Sequence, residues 1–188
     1  MTKKNKDPAM GVLGYERNEA DFYPTPEWCT KALLSVYDFK GGFYEPCCGD
    51  GAISKVLSNH GKTVSYDLHD RGYGVHGVDF LEQTSLLPAD AINIVTNPPY
   101  TLAEEFIRHS LKLTQVHQSA VAMLLRNEYD CASSRTKLFD HVAFSCKVVL
   151  TRRPRWIVGT TGSPRHNYSW YVWDWSTRNK QNKLIWTQ

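Results

Sequence analysis

No run of apolar residues in this 188-residue chain approaches the roughly 18 positions that a membrane-spanning helix needs. The opening Met1-Thr2-Lys3-Lys4-Asn5-Lys6 is basic, but no apolar segment follows it, so it does not read as a secretory signal. It reads as a flexible basic tail over residues 1–20. The five cysteines (Cys29, Cys47, Cys48, Cys131 and Cys146) are odd in number and show no paired C-x-x-C spacing. That pattern excludes a disulfide framework and a zinc site, so no metal is expected. A reducing cytoplasm is the expected setting. Adjacent Cys47 and Cys48 read as small residues in a tight turn. Internal repeats and low-complexity segments are absent, and the glycine-bearing loop that follows Glu45 is neither G-x-G-x-x-G nor a Lys-Ser/Thr phosphate cradle.

What is present is ordinary globular material, 41% apolar and 22% charged, enough for one packed core. Apolar runs that resemble buried strands alternate with segments of helical spacing. The strand candidates are Gly42-Phe43-Tyr44-Glu45, Thr63-Val64-Ser65-Tyr66, Gly74-Val75-His76-Gly77-Val78, residues 91–96, residues 120–125, Val148-Val149-Leu150 and the aromatic run 168–175. Helical spacing marks residues 52–57 and 102–113. Such alternation predicts an α/β fold, a largely parallel sheet with helices on both faces. The aromatic run is expected to pair antiparallel at or near an edge. Its Trp170, Tyr171, Trp173 and Trp175 read as packing residues.

In such sheets ligands bind where strands end. Asn97-Pro98-Pro99-Tyr100 ends the run 91–96, and two prolines cannot continue a central strand. The exit joins an amide, a proline carbonyl and a ring. Asn97 Oδ1 and the Pro98 carbonyl can accept both hydrogens of an exocyclic amine while Tyr100 stacks on its ring. Glu45-Pro46-Cys47-Cys48-Gly49-Asp50-Gly51 ends the first strand. Gly49 and Gly51 let the backbone approach a ligand, and the loop's acidity suits a cationic one. Asp67 ends the second strand, where it can accept from ribose hydroxyls. Asp79-Phe80 ends the third, where the carboxylate can accept from an adenine amine and the ring can cover it. Upstream, Asp21-Phe22-Tyr23-Pro24-Thr25-Pro26 leads into a helix with Thr25 as N-cap and Pro26 at its first position. That helix start suits a ligand carboxylate.

Charge is uneven. From residue 147 onward eight Lys and Arg face one Asp, whereas residues 1–146 hold 14 basic and 18 acidic side chains. A basic end on an acidic body suggests a polyanion partner.

These residues together resemble the class I S-adenosylmethionine-dependent methyltransferases, and more narrowly the DNA N6-adenine type with its small phage and prophage members. The resemblance covers about residues 21–175. Residues 21–26 match the upstream cofactor motif, 45–51 the glycine motif, Asp67 and Asp79-Phe80 the next two, and Asn97-Pro98-Pro99-Tyr100 the catalytic tetrapeptide. Cofactor motifs precede the catalytic one, as in the gamma arrangement. The resemblance implies a Rossmann-like, mostly parallel seven-stranded sheet with an antiparallel strand. It implies S-adenosyl-L-methionine as cofactor, held by Tyr23, Thr25, Glu45, Cys47, Gly49, Gly51, Asp67, Asp79, Phe80 and Asn97. It implies methyl transfer to adenine N6 in DNA, with the base flipped against Tyr100 and a second aromatic wall from Trp156 or Tyr168. Arg152, Arg153, Arg155, Arg165 and His166 would meet phosphates. Residues 21–188 would form one catalytic domain with no separate target-recognition domain, in a bacterial or phage-infected cytoplasm. A homodimer or a specificity partner would extend the DNA contact. Other acceptors fit the tetrapeptide: an RNA adenine or guanine, or a protein glutamine amide. A reading of another class is a nucleic-acid-binding subunit without chemistry.

Overall fold

The computed structural model describes residues 22–84, 87–88, 90–156, 163–177 and 182–187. The expected basic tail, residues 1–20, lies outside them. Helix α1 (Glu27–Val36) precedes strand β1 (Phe43–Glu45), the short helix α2 (Ser54–Leu57) and β2 (Thr63–Ser65). Then come β3 (Asn93–Thr96), α3 (Ala103–Gln115), β4 (Ala120–Arg126), the short α4 (Thr136–Phe139), β5 (Phe144–Val149), β6 (Tyr168–Asp174) and β7 (Lys183–Trp186). The seven strands form one sheet in the order β2-β1-β3-β4-β6-β5-β7. β6 runs antiparallel to both neighbours, and every other pairing is parallel. This is the expected mostly parallel sheet with one antiparallel strand.

Apolar alternation puts a core on each face. On one, Tyr44, Ile94, Val121, Met123, Tyr171 and Trp173 pack with Phe106, Ile107 and Leu111 of α3 and Leu138 of α4. On the other, Phe43, Val95, Ala122, Leu124, Trp170 and Val172 pack with Cys29 and Leu33 of α1 and with Leu57 of α2. Helices therefore cover both faces. Indole N–H groups tie them down: Trp170 donates to the Cys29 carbonyl (2.8 Å), Trp173 to that of Leu138 (2.8 Å) and Trp175 to that of Leu111 (3.1 Å). Buried Tyr and Trp satisfy their polar atoms in this way.

Two strand expectations are corrected. The aromatic strand is not at an edge. All seven of its residues are buried and it lies between β4 and β5, because both of its faces are apolar and each needs a covering layer. The segment 74–78 is not a strand: only Val75 bridges to Tyr66, and Gly74 and Gly77 have φ of +72° and +77°, which a strand cannot use. The seventh strand is instead β7, on the opposite edge. Among the described residues no helix is long and apolar enough to cross a membrane.

At the amino edge of the sheet, buried Asn93 braces three segments. Its Nδ2 donates to the carbonyls of Lys40 (2.8 Å) and Gly42 (3.0 Å), and its Oδ1 accepts from Ala120 N (3.0 Å). Asn93→Ala should cost on the order of 3 kcal/mol by chemical denaturation, since it strands buried backbone groups, without altering ligand binding at the far edge.

Candidate functional site

The chain runs from β1 out to β2, then crosses back to β3 on the other side of β1. The carboxyl ends of β1 and β3 therefore form a switch point, where doubly wound sheets bind ligands. A cleft of about 910 Å³, open mouth included, lies there.

Its floor is the loop after β1. Glu45 is 1% exposed and accepts from the Ser54 hydroxyl, which also pairs with Ser65 Oγ at 2.6 Å. Burial pushes the Glu45 carboxyl up to about 8; the Ser54 hydrogen bonds oppose that rise, and Asp67 and Asp50 add to it. Asp67, at the end of β2, is 6% exposed and accepts from Gly49 N on one oxygen and from His69 N on the other, both at 2.8 Å. Each oxygen keeps a lone pair for a ligand. Gly49 (φ +54°) and Gly51 (φ +82°) both require the left-handed region. A side chain at either would also strike an aromatic ring of the chain itself: a Cβ on Gly49 would lie 2.4 Å from Phe22 and one on Gly51 2.5 Å from Tyr73. These glycines admit the protein's own rings.

Over this floor stands the end of β3. Thr96 Oγ1 and Cys47 Sγ lie 2.8 Å apart, and burial pushes the Cys47 thiol far above its usual range. Asn97 Nδ2 donates to Thr25 Oγ1 at 3.2 Å. Asn97 Oδ1 is buried, and among the described residues it has no hydrogen-bond partner. The expected N-cap role of Thr25 is corrected here. α1 starts at Glu27 with Pro26 before it and no side-chain cap, while the Thr25 hydroxyl serves Asn97 instead. The Tyr100 hydroxyl is buried beside Tyr168, and burial, with Tyr168 adding to it, holds its pKa well above the usual range.

A chain of rings runs from this point. Tyr100 and Tyr168 centroids are 6.2 Å apart, Tyr168 and Trp156 4.8 Å, and Trp156 and Tyr23 6.4 Å. Beyond them, Arg152 lies 5.2 Å from the Trp28 ring centroid. Arg153 donates to Asn167 Oδ1 (2.8 Å) and to the Pro164 carbonyl (3.1 Å). Arg155 and Arg165 are exposed; His166 is half-buried, and burial, followed by the Arg126 charge, pushes its pKa down.

Of the residues singled out in the sequence, Tyr23, Thr25, Glu45, Cys47, Gly49, Asp67, Asp79, Phe80, Asn97 and Pro99 line the cleft. Gly51, Pro98, Tyr100, Trp156, Tyr168 and the arginines at 152, 153, 155 and 165 do not; nor does His166. Asp79 closes no strand. Its Oδ1 caps the single turn Phe80–Glu82 by accepting from Leu81 N at 2.9 Å. Phe80 is 2% exposed and packs on Phe106, with centroids 5.0 Å apart. Sequence reading missed Phe22 and Arg71 on the cleft wall, where the guanidinium lies 4.2 Å from the ring centroid. Phe22 sat within the motif already singled out, whereas nothing in the spacing marked Arg71. Among the described residues no group of His, Cys, Asp and Glu could hold a metal.

No protein-family model and no curated protein matches the sequence. Solved structures do match. A Pyrococcus horikoshii protein assigned as an RNA methyltransferase is 14% identical with a TM-score of 0.60, over 89% of this chain and 94% of the other. A Listeria monocytogenes protein assigned as a class I S-adenosylmethionine-dependent methyltransferase is 11% identical with a TM-score of 0.59, over 95% and 68%. The EcoKI type I restriction enzyme M protein is 12% identical with a TM-score of 0.55, over 81% of this chain and only 43% of its own. At these identities the likeness shows the fold, which is the Rossmann-like fold of class I methyltransferases.

Glu45 gives the site a pH signature. Unfolded, its carboxyl ionises near 4.5; folded, near 8. Between those values the unfolded chain has lost a proton that the folded chain keeps, so this residue's contribution to stability falls as pH rises from about 4.5 to about 8. Denaturation midpoints measured across that range should fall less steeply for Glu45→Gln than for the wild type.

Proposed function

We propose that this protein binds S-adenosyl-L-methionine in the cleft and transfers its methyl group to the N6 amine of adenine in DNA, with the base turned out of its stack. The observation that carries this reading is Asn97 Oδ1. It is a buried acceptor with no partner among the described residues, on the wall of the cleft, fixed by the Thr25 hydroxyl on the other end of its amide. An unsatisfied buried acceptor costs about 1–3 kcal/mol, so it calls for a donor from outside.

The residues fit the cofactor. The open cleft is of small-molecule size, its floor bears the carboxyl groups of Asp50 and Asp67, and Asp79 stands at its rim. Those groups suit an ammonium and ribose hydroxyls, and Thr25 suits a carboxylate. Tyr23, Glu45, Cys47, Gly49, Gly51 and Phe80 complete the proposed set. When bound, the cofactor supplies an electrophilic methyl on a sulfonium. The chain's own part is to hold the acceptor. An adenine N6 lone pair is delocalised into its ring and is a weak nucleophile. Asn97 Oδ1 and the Pro98 carbonyl would accept both N6 hydrogens and favour a pyramidal nitrogen. Tyr100 would stack on the ring, with Tyr168 or Trp156 opposite. No side-chain base is required before transfer: the N6 lone pair would form the new C–N bond as the methyl–sulfur bond breaks with its electrons left on sulfur, and the methylated N6 would then lose one proton to solvent; most of the effect is positioning and electrostatics. Arg152, Arg153, Arg155, Arg165 and His166 would bind phosphates, giving affinity with little sequence reading. Residues 21–188 would act as one catalytic unit in the cytoplasm.

Purified protein should transfer a labelled methyl from S-adenosylmethionine to unmodified DNA. Asn97→Ala should cut the rate by about 10²–10³ or more while cofactor binding survives. Label on RNA or protein but not on DNA would overturn the DNA assignment. No label together with no cofactor binding would overturn the whole reading.

A further inference from the structure

A second depression, open and separate from the cofactor cleft, is lined by Pro26, Trp28, Arg152, Arg153, Arg155 and Pro164 together with Ser163, and shares no lining residue with the cleft. It holds three guanidinium groups, one indole and no carboxylate among its lining residues. The neighbouring Glu27 is paired with Lys31 at 2.6 Å. Trp28 is half-buried, with part of its ring against the core and the Arg152 guanidinium 5.2 Å from its centroid. Indole and guanidinium are the surfaces on which unstacked bases rest. Arg153 is held by Asn167 and Pro164 through two of its five N–H groups, and among the described residues the other three have no acceptor, which suits an anion at a fixed place.

The depression also adjoins the reacting end of the cleft by two covalent routes. Pro26 follows Thr25, whose hydroxyl holds Asn97. Arg155 precedes Trp156, whose ring meets Tyr168 and through it Tyr100. Pro26 and Arg155 thus each stand one residue from a group at that end, Thr25 and Trp156.

We propose that this depression binds the nucleotide adjoining the target base, with the base against Trp28 and Arg152 and the phosphate on Arg153 and Arg155, so that the preferred substrate is an unpaired strand. The proposal rests on the nucleic-acid reading above. It follows because a platform for the neighbouring base serves only when that base is unstacked. In an intact duplex it stays between its neighbours.

The full-length protein and dye-labelled adenine-containing deoxyoligonucleotides test it by fluorescence anisotropy. The single strand should bind at least tenfold more tightly than its duplex. Trp28→Ala should weaken single-strand binding roughly 5- to 150-fold, the range of one lost base stack, and leave duplex and S-adenosylmethionine binding unchanged. An oligonucleotide abasic on both sides of the target should reproduce that loss on the unaltered protein, which covers the case in which Trp28→Ala does not fold. Replacing Arg152, Arg153 and Arg155 by Gln should lower the single-strand salt slope by about two. Equal or tighter duplex binding, or an abasic flank without effect, would overturn the proposal while leaving methyl transfer intact. Absence of any nucleic-acid binding would instead overturn the reading beneath it.

Discussion

Pro98 and Pro99 carry no amide proton, so neither can extend the ladder that β3 makes with β1 and β4. The strand must stop at Thr96, in the middle of the sheet, beside the end of β1. Asn97 is thereby held where a longer strand would have been paired and covered. Among the described residues its amide is fixed from one side, by the Thr25 hydroxyl, and the oxygen that remains is buried without a donor. A fold seldom leaves such a group, and an N–H or O–H donor from outside would recover the free energy it forgoes.

The neighbouring loop is built the opposite way, with its polar atoms answered from within. Glu45 accepts from the Ser54 hydroxyl, which is itself paired with that of Ser65, and Asp67 holds the backbone of Gly49 and His69. Phe22 and Tyr73 lie where side chains on Gly49 and Gly51 would be. The floor of the cleft is thus shaped before a ligand arrives, and preorganisation of this kind lowers the cost of binding. On the proposed reading, the satisfied floor would hold the cofactor and the unsatisfied wall the acceptor.

Much of this was legible in the sequence. Apolar runs closed by Glu45, Asp67 and Asn97 are strand ends whichever way the chain folds, since charged groups and prolines cannot stay in a sheet buried on both faces. The alternation of strand and helix then brought those ends to one edge. What escaped has physical reasons. Residues 74–78 looked like a strand by composition, but two glycines in left-handed conformation turn the chain there. β7 is four residues long with Leu184 and Trp186 exposed, so it shows none of the alternation that marks a half-buried strand. The interior place of β6 depended on that unseen strand and on the pairing of β5. Thr25 looked like a helix cap by local rules, and a partner 72 positions away took its hydroxyl. Arg71 reaches the cleft through the turn that replaced the missing strand.

The account makes the end of β3 a device for holding an exocyclic amine. The most direct test is to methylate a mixed-sequence DNA with this protein, digest it to nucleosides and identify the product by mass spectrometry. The account predicts methyl only on the N6 position of deoxyadenosine. Methyl on a ring nitrogen or on a carbon of any base would contradict it, because neither atom offers two hydrogens to Asn97 and Pro98.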